Sequence, residues 1–290
     1  MSAFIYKTLS VLFFVLMSVC IKATGDNLPL FQVVFFRNFF ALLPLIFFIY
    51  FLNLNFRSIN NYKLHFLRAI IGISAMSLFF ISLRYVHLVE MQTISYSSVF
   101  FISILSIFFL GEKIGYRRII AIIIGFIGVV IILKPTSAIF SNYSILPLIA
   151  SLFLSMAVIV LKKILLTNDN ILSVWVFTVL CTVISLFFFN ENWIWPNKID
   201  MSLMIASGVL GFIAQICLTK SFQLADASLL APLDFSSVIW SFFLGYFLFG
   251  ELISTNVIIG GSIIILSVGY IFYRERILQK QVVLGVNKQF

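Results

Sequence analysis

The sequence predicts an all-α membrane protein with ten transmembrane helices in two inverted five-helix repeats. Of its 290 residues, 62% are apolar and only 10% are charged, whereas a soluble domain carries about 25% charged residues. The mean hydropathy is +1.15. The apolar residues form runs of about 20, the length that crosses a bilayer, and the second half of the chain repeats features of the first. This composition excludes a soluble enzyme, a disordered binder and a nucleic-acid reader.

Ten apolar runs are the candidates for membrane-spanning helices. They cover residues 4–24, 30–52, 67–86, 89–110, 119–135, 143–163, 171–190, 202–223, 227–249 and 256–273. Polar turn residues separate most of the runs, as Asp26 and Asn27 do after the first. Prolines lie inside three of them, at Pro44, Pro147 and Pro232, and a proline removes a backbone donor and can bend a helix.

The placement of lysine and arginine predicts the orientation of the chain in the membrane. With the amino terminus inside, fourteen of the nineteen basic residues lie in cytoplasmic segments, Lys7 among them, and one, Arg37, lies within the second run. The other four lie outside, at Lys22, Arg84, Lys134 and Lys198. Both termini are therefore predicted to be cytoplasmic, with residues 274–290 as a cytoplasmic tail. The net charge of +9 is then an orientation signal rather than a binding patch.

An internal repeat appears when the sequence is shifted by 139 residues. Gly111 and Glu112 then meet Gly250 and Glu251, and the Ser-Ser-Val at 97–99 meets the Ser-Ser-Val at 236–238. The two halves cover residues 3–135 and 143–273, with five runs each. Because five is odd, the second half enters the membrane from the opposite side, which is the inverted arrangement found in many secondary transporters.

These motifs resemble the drug/metabolite transporter superfamily, in particular its EamA-type members. The most specific stretch runs from Ala231 to Glu251, and Phe36-Arg37-Asn38-Phe39 is similar to the family's arginine motif. The first half departs from the pattern, since Thr93 stands where the second half has Pro232. Within the family the chain is most similar to S-adenosylmethionine uptake carriers. The resemblance implies an inner-membrane transporter that takes up this small molecule. We expect transport to be driven by exchange with S-adenosylhomocysteine, by an ion gradient or by the membrane potential. The alternative is an exporter of amino acids or drug-like cations.

Ionisable residues inside apolar runs are the candidates for a transport cavity, because a charge in lipid is costly unless it is paired or faces water. Arg37, Glu90 and Asp234 are such residues, and Pro232 is expected to bend the helix beside Asp234. For S-adenosylmethionine, the two carboxylates would neutralise the ammonium and the sulfonium. Tyr96 and Trp240 would hold the sulfonium by cation–π attraction, and Arg37 would grip the carboxylate. Arg37 could instead pair with Asp234 or Glu90 in a purely structural role.

The remaining polar residues are expected to be structural. Four cations near the ends of the runs are expected to extend to the headgroups: Lys22, Arg84, Lys134 and Lys220. Glu112 and Glu251 are expected to cap or pair locally at helix ends, and the three cysteines to pack as small apolar groups. No Gly-Lys-Ser/Thr phosphate loop occurs in the sequence. ATP-driven transport is therefore not expected. No Cys, Asp or Glu stands at convincing ligand spacing from His65 or His87, and neither histidine belongs to a convincing catalytic dyad, so we also expect neither a metal, a cofactor nor an enzymatic activity.

Overall fold

The computed structural model describes residues 2–52, 59–110, 116–133, 143–166, 170–188, 193–225, 230, 233–234 and 236–283. The regular structure of these residues is helical, and no strand occurs among them. Their α-helices, labelled in chain order, are α1 (Ser2–Thr24), α2 (Leu30–Leu52), α3 (Tyr62–Tyr85), α4 (Leu88–Ser95), α5 (Ser97–Leu110), α6 (Tyr116–Leu133), α7 (Ile145–Leu165), α8 (Asn170–Leu186), α9 (Lys198–Leu224), α10 (Ser236–Phe249) and α11 (Thr255–Val283). The all-helical prediction is confirmed.

The helices have the length and composition of membrane-spanning segments. Within the residues that the structure describes, six stretches are long and apolar enough to cross a bilayer: Ser2–Thr24, Leu30–Phe51, Tyr62–Tyr85, Leu88–Leu105, Ile145–Leu165 and Lys198–Leu224. Four more apolar stretches of the same residues are shorter: Ile119–Ile132, Ile171–Leu186, Ser236–Phe249 and Thr255–Ser267. The chain is thus a multi-pass membrane protein. Helix α11 continues to Val283, well beyond the predicted end at residue 273, so much of the predicted tail is helical.

The fourth predicted run is interrupted at Tyr96, which separates α4 from α5. The Tyr96 N–H bonds to the carbonyl of Thr93, three residues back. The hydroxyls of Thr93 and Ser95 bond to the carbonyls of Val89 and Met91 in the preceding turn, an arrangement that often bends helices. The first half therefore has a break between helices near the position that corresponds to Pro232, although no proline is present there.

Close helix packing joins the two halves of the chain. Helix α1 packs along α9 and also contacts α10, while α3 packs along α7. Helix α2 packs against α8 and α9, and α6 runs along α11. Glycines allow backbones to approach closely. A Cβ at Gly208 would lie 3.0 Å from the Ala41 nitrogen, and one at Gly260 would lie 2.5 Å from the Gly128 carbonyl oxygen.

Candidate transport site

The interruption at Tyr96 lies against the matching segment of the second half. Leu233 and Asp234 form a short 3₁₀ turn just before α10. The Tyr96 hydroxyl donates to the backbone carbonyl of Asp234 at 2.8 Å, lies 3.0 Å from the Ser237 hydroxyl, and accepts from the Val238 N–H at 3.2 Å. Tyr96 is only 3% exposed. The phenol therefore fixes the backbone that carries Asp234. Pro232, the predicted bend, lies outside the described residues.

The Asp234 carboxylate forms an ion pair with Lys7 of α1. The Lys7 Nζ lies 2.7 Å from the Asp234 Oδ1. The Lys7 side chain is 6% exposed and the Asp234 side chain 36% exposed, and the ammonium also lies 5.3 Å from the centre of the Phe222 ring. The structural alternative in which Arg37 pairs with Asp234 is therefore wrong. Lys7, which the sequence analysis treated only as an orientation charge, is the partner.

Arg37 is buried in α2 without a carboxylate partner among the described residues. It is 3% exposed, and its Nη1 donates to Asn38 Oδ1 at 2.8 Å. The Arg37 Nε atom is buried and has no hydrogen-bond partner among the described residues. Gly211 on α9 makes room for the group, because a Cβ there would lie 2.8 Å from Arg37 Nη2. A buried guanidinium with a free donor is suited to receive an anion.

Glu90 lies in the first turn of α4. Its Oε1 accepts a hydrogen bond from the Ser144 hydroxyl at 3.0 Å. It lines a shallow pocket that also includes His87 and Glu251. No set of three His, Cys, Asp or Glu side chains among the described residues, these groups included, is arranged to hold a metal ion.

Trp240 lies on α10 and is 39% exposed. It makes no hydrogen bond or ring contact with the other residues that the structure describes. The structure therefore brings Tyr96 and Asp234 together, places Arg37 and Glu90 at separate positions, and leaves Trp240 on an accessible face of its helix.

A second ion pair, which the sequence analysis missed, joins the other end of α1 to the second half. The Lys22 Nζ lies 2.8 Å from Glu251 Oε1 and donates to the carbonyls of Leu83 and Val86 at 3.1 and 2.7 Å. Glu251 Oε2 accepts from the Leu88 N–H at the start of α4, at 2.8 Å. The Lys22 and Glu251 side chains are 14% and 7% exposed. The expectation that Lys22 extends to the headgroups is wrong.

Glu251 also departs from the expected local role. It lies beyond the end of α10 but caps α4 of the first half and pairs with α1. Gly245 makes this possible, because a Cβ there would lie 2.8 Å from Glu251 Oε2. Glu112, its counterpart in the repeat, lies outside the described residues. The signal available in the sequence was the pair of lysines on α1, fifteen residues or about 22 Å apart along an otherwise apolar helix.

Arg68 is a further buried cation that the orientation count did not single out. It is 2% exposed, its Nη1 donates to the Ser173 carbonyl at 3.0 Å, and its guanidinium lies 4.6 Å from the centre of the Phe177 ring. Its contacts join α3 to α8. Unlike Arg37, Arg68 lies over an aromatic ring, and this cation–π contact partly stabilises its charge.

Comparison with known proteins identifies the family. A family model described as the EamA-like transporter family matches the chain twice, over residues 1–134 and 142–273. The chain belongs to the EamA-like transporter family. The resemblance stated from the sequence is thus confirmed, and this protein is a transporter rather than an enzyme.

Several relatives of this EamA-like transporter carry functional names. It is 28% identical over 255 residues to the S-adenosylmethionine uptake transporter of Rickettsia felis, covering 88% of this chain and 87% of the relative. It is 30% identical over 209 residues to the riboflavin transporter of Vibrio cholerae, covering 71% and 70%. It is 22% identical to the pseudopaline exporter CntI of Pseudomonas aeruginosa over 257 residues, covering 88% and 90%.

A solved structure shares the fold. A protein of known crystal structure superposes with a TM-score of 0.66 over 92% of this chain and 94% of its own length, at 15% sequence identity. At this identity the likeness concerns the fold alone, so substrate arguments depend on the residues of this chain.

Proposed function

We propose that this EamA-like transporter imports S-adenosylmethionine across the bacterial inner membrane. The observation that carries the proposal is the Asp234 carboxylate, which is fixed between the two halves by Tyr96 and Lys7 and is 36% exposed. An accessible carboxylate inside a membrane protein suits a cationic solute. The names of the rickettsial relatives, which match over most of both chains, support the choice of solute.

The charges of the candidate site complement those of S-adenosylmethionine. Asp234 neutralises one of its two cationic groups and Glu90 the other. Arg37 receives the carboxylate with its planar fork in a conformation that opens this region, because the side chain is 3% exposed here and its Nε has no hydrogen-bond partner among the described residues. Tyr96 positions Asp234 rather than touching the sulfonium, because it is buried and its hydroxyl is engaged. Trp240, which is 39% exposed, holds the sulfonium by cation–π attraction.

Transport by alternating access requires two halves that move against each other. We propose ten spans in two inverted repeats, residues 3–135 and 143–273, followed by a tail from residue 274, with both termini cytoplasmic. The helix packing supports this arrangement. A shift of 139 residues carries α1 onto α7 and α3 onto α9, and the contacts exchange accordingly: α1 packs on α9, and α7 packs on α3. A pseudo-two-fold axis produces such an exchange, and in the proposed inverted arrangement this axis lies in the membrane plane.

The test is uptake of labelled S-adenosylmethionine into intact cells that express the chain. We expect saturable uptake that S-adenosylhomocysteine blocks and common amino acids do not. Asp234→Asn should abolish it while leaving the protein in the membrane. Asp26→Asn is the matched control, because the Asp26 side chain is 70% exposed and its ion pair within the described part of the chain is with Arg84.

Two outcomes would count against the proposal. Unchanged uptake in Asp234→Asn would remove the carboxylate from the site. No uptake by the inserted wild-type protein would favour export, as in the relative named a pseudopaline exporter, and an efflux panel of amino acids and organic cations would follow.

A further inference from the structure

Lys7 lies where a cationic substrate would bind. Its ammonium is placed 2.7 Å from the Asp234 carboxylate, and its side chain is 6% exposed. Lys7 is on the first helix of one half, while Asp234 belongs to the other half. We propose that Lys7 is a tethered competitor: it occupies Asp234 while the site is empty, and the cationic group of the substrate displaces it. This inference rests on the proposed function of Asp234 as the cation-binding carboxylate.

The Lys7 pair is built to exchange, in contrast to the pair at the other end of α1. Lys22 is held by Glu251 and by two backbone carbonyls, and Glu251 is 7% exposed and bonded to the Leu88 N–H. Within the described residues, the Lys7 ammonium has a single oxygen partner, Asp234 Oδ1, and otherwise only the Phe222 ring. Two of its three N–H donors lack an oxygen there. Lys7 is therefore the weakly held cation.

The acceptor side leads to the same conclusion. Asp234 Oδ2 accepts no hydrogen bond from the described residues, and the side chain is 36% exposed. An incoming ammonium or sulfonium can approach this oxygen while Lys7 still holds the other. Two cations cannot share one carboxylate without repulsion, so the flexible lysine leaves, which its four-carbon stem permits.

Displacement of Lys7 also explains how binding would be linked to movement. The Lys7–Asp234 pair ties α1 to the turn before α10, across the two halves. A substrate that replaces Lys7 removes this tie. A ligand shifts a conformational equilibrium only when it interacts differently with the two conformations, and here the two conformations differ in whether Lys7 is paired with Asp234. Neutral solutes of the same shape would leave the tie intact, so Lys7 selects for charge.

The experiment measures the reactivity of individual lysines in the purified wild-type protein. A short pulse of an amine-reactive label, in excess over the amine of the substrate, is applied with and without saturating S-adenosylmethionine and read by mass spectrometry. We expect the modification of Lys7 to rise several-fold when substrate is added. Lys22 serves as the internal control and should not change. In Asp234→Asn, Lys7 should be reactive without substrate.

Binding of S-adenosylmethionine to two variants supplies a second readout. Lys7→Met removes the competitor, so the affinity should rise, by roughly tenfold if Lys7 occupies Asp234 about 90% of the time. Lys7→Arg keeps the cation and adds donors, so the affinity should fall. Lys220→Met is the matched control, because among the described residues the Lys220 ammonium contacts Gln223 Oε1 alone, at 3.4 Å.

The outcomes separate this inference from the proposed function. A wild-type protein that does not bind S-adenosylmethionine refutes the proposed substrate, while the Asp234→Asn labelling still tests what holds Lys7. Binding without a change in Lys7 reactivity, or weaker binding in Lys7→Met, overturns the tethered competitor and makes the pair purely structural. Lys7 that stays protected in Asp234→Asn overturns it as well.

Discussion

The Lys22–Glu251 pair should make a large contribution to the stability of the protein. Both side chains are mostly buried, at 14% and 7% exposure, and the two charged atoms are 2.8 Å apart. In Lys22→Met the Glu251 carboxylate keeps the Leu88 N–H but loses its cation. Breaking a buried pair by removing one partner costs about 3–5 kcal/mol. We therefore expect a decrease of this size in the free energy of unfolding.

The other members of a double-mutant cycle should behave differently. Glu251→Gln keeps an acceptor for Leu88 and leaves Lys22 on two backbone carbonyls, so about 1.5–3 kcal/mol should be lost, the value of a hydrogen bond to a charged group. The double variant leaves no unpaired buried charge. It should be more stable than the sum of the single effects indicates, with an interaction energy of about 2–3 kcal/mol.

The assay is denaturant unfolding of the four proteins in one detergent. The control cycle uses Arg84 and Asp26, which lie 3.1 Å apart, with the Asp26 side chain 70% exposed. That interaction energy should stay below about 1 kcal/mol, as for exposed pairs in general. An interaction energy near zero for Lys22 and Glu251 would refute the reasoning and restore the interpretation in which Lys22 extends to the headgroups.

Three further substitutions test other contacts. Tyr96→Phe removes the hydrogen bond to the Asp234 carbonyl and leaves buried polar groups unsatisfied, which costs roughly 1–3 kcal/mol. Uptake should therefore fall about tenfold or more. Normal uptake would show that the phenol does not position Asp234. Gly260→Ala places a Cβ 2.5 Å from the Gly128 carbonyl oxygen and should destabilise the protein by about 1–3 kcal/mol. Thermal unfolding measures this effect, and unchanged stability would mean that α6 and α11 are further apart. Trp240→Leu should weaken the binding of S-adenosylmethionine, because the exposed ring is available for cation–π attraction, worth about 0.5–2 kcal/mol. Unchanged affinity would remove Trp240 from the site.

The helices could be predicted from the sequence because hydropathy depends only on local composition. The first run, predicted at 4–24, is α1 at Ser2–Thr24, and the second, at 30–52, coincides with α2. Prediction was poorer where a helix passes beyond the apolar run, as α3 does by starting at Tyr62. Polar residues continue a helix as readily as apolar ones, so hydropathy does not mark such an end.

The partners of the charged residues could not be predicted, because they depend on how distant helices pack. Asp234 and Arg37 were correctly noticed as charges in apolar runs. Their surroundings follow from the position of α1 between α9 and α10 and from the close approach of α2 to α9. A lysine that looks like an end-of-helix charge in the sequence, such as Lys7 or Lys22, becomes a buried partner only through that packing.

The contact between α6 and α11 is self-complementary, as in a symmetric dimer. Gly128 lies beneath the Gly260 carbonyl, and Gly260 lies beneath the Gly128 carbonyl. One repeat length relates Gly128 to Ser267 and Gly260 to Ala121, and these small residues are also buried. An interface of this kind needs no covalent connection between its two sides. The linker then contributes only effective concentration, so the two halves, made as separate chains, have the surfaces to find each other in the bilayer.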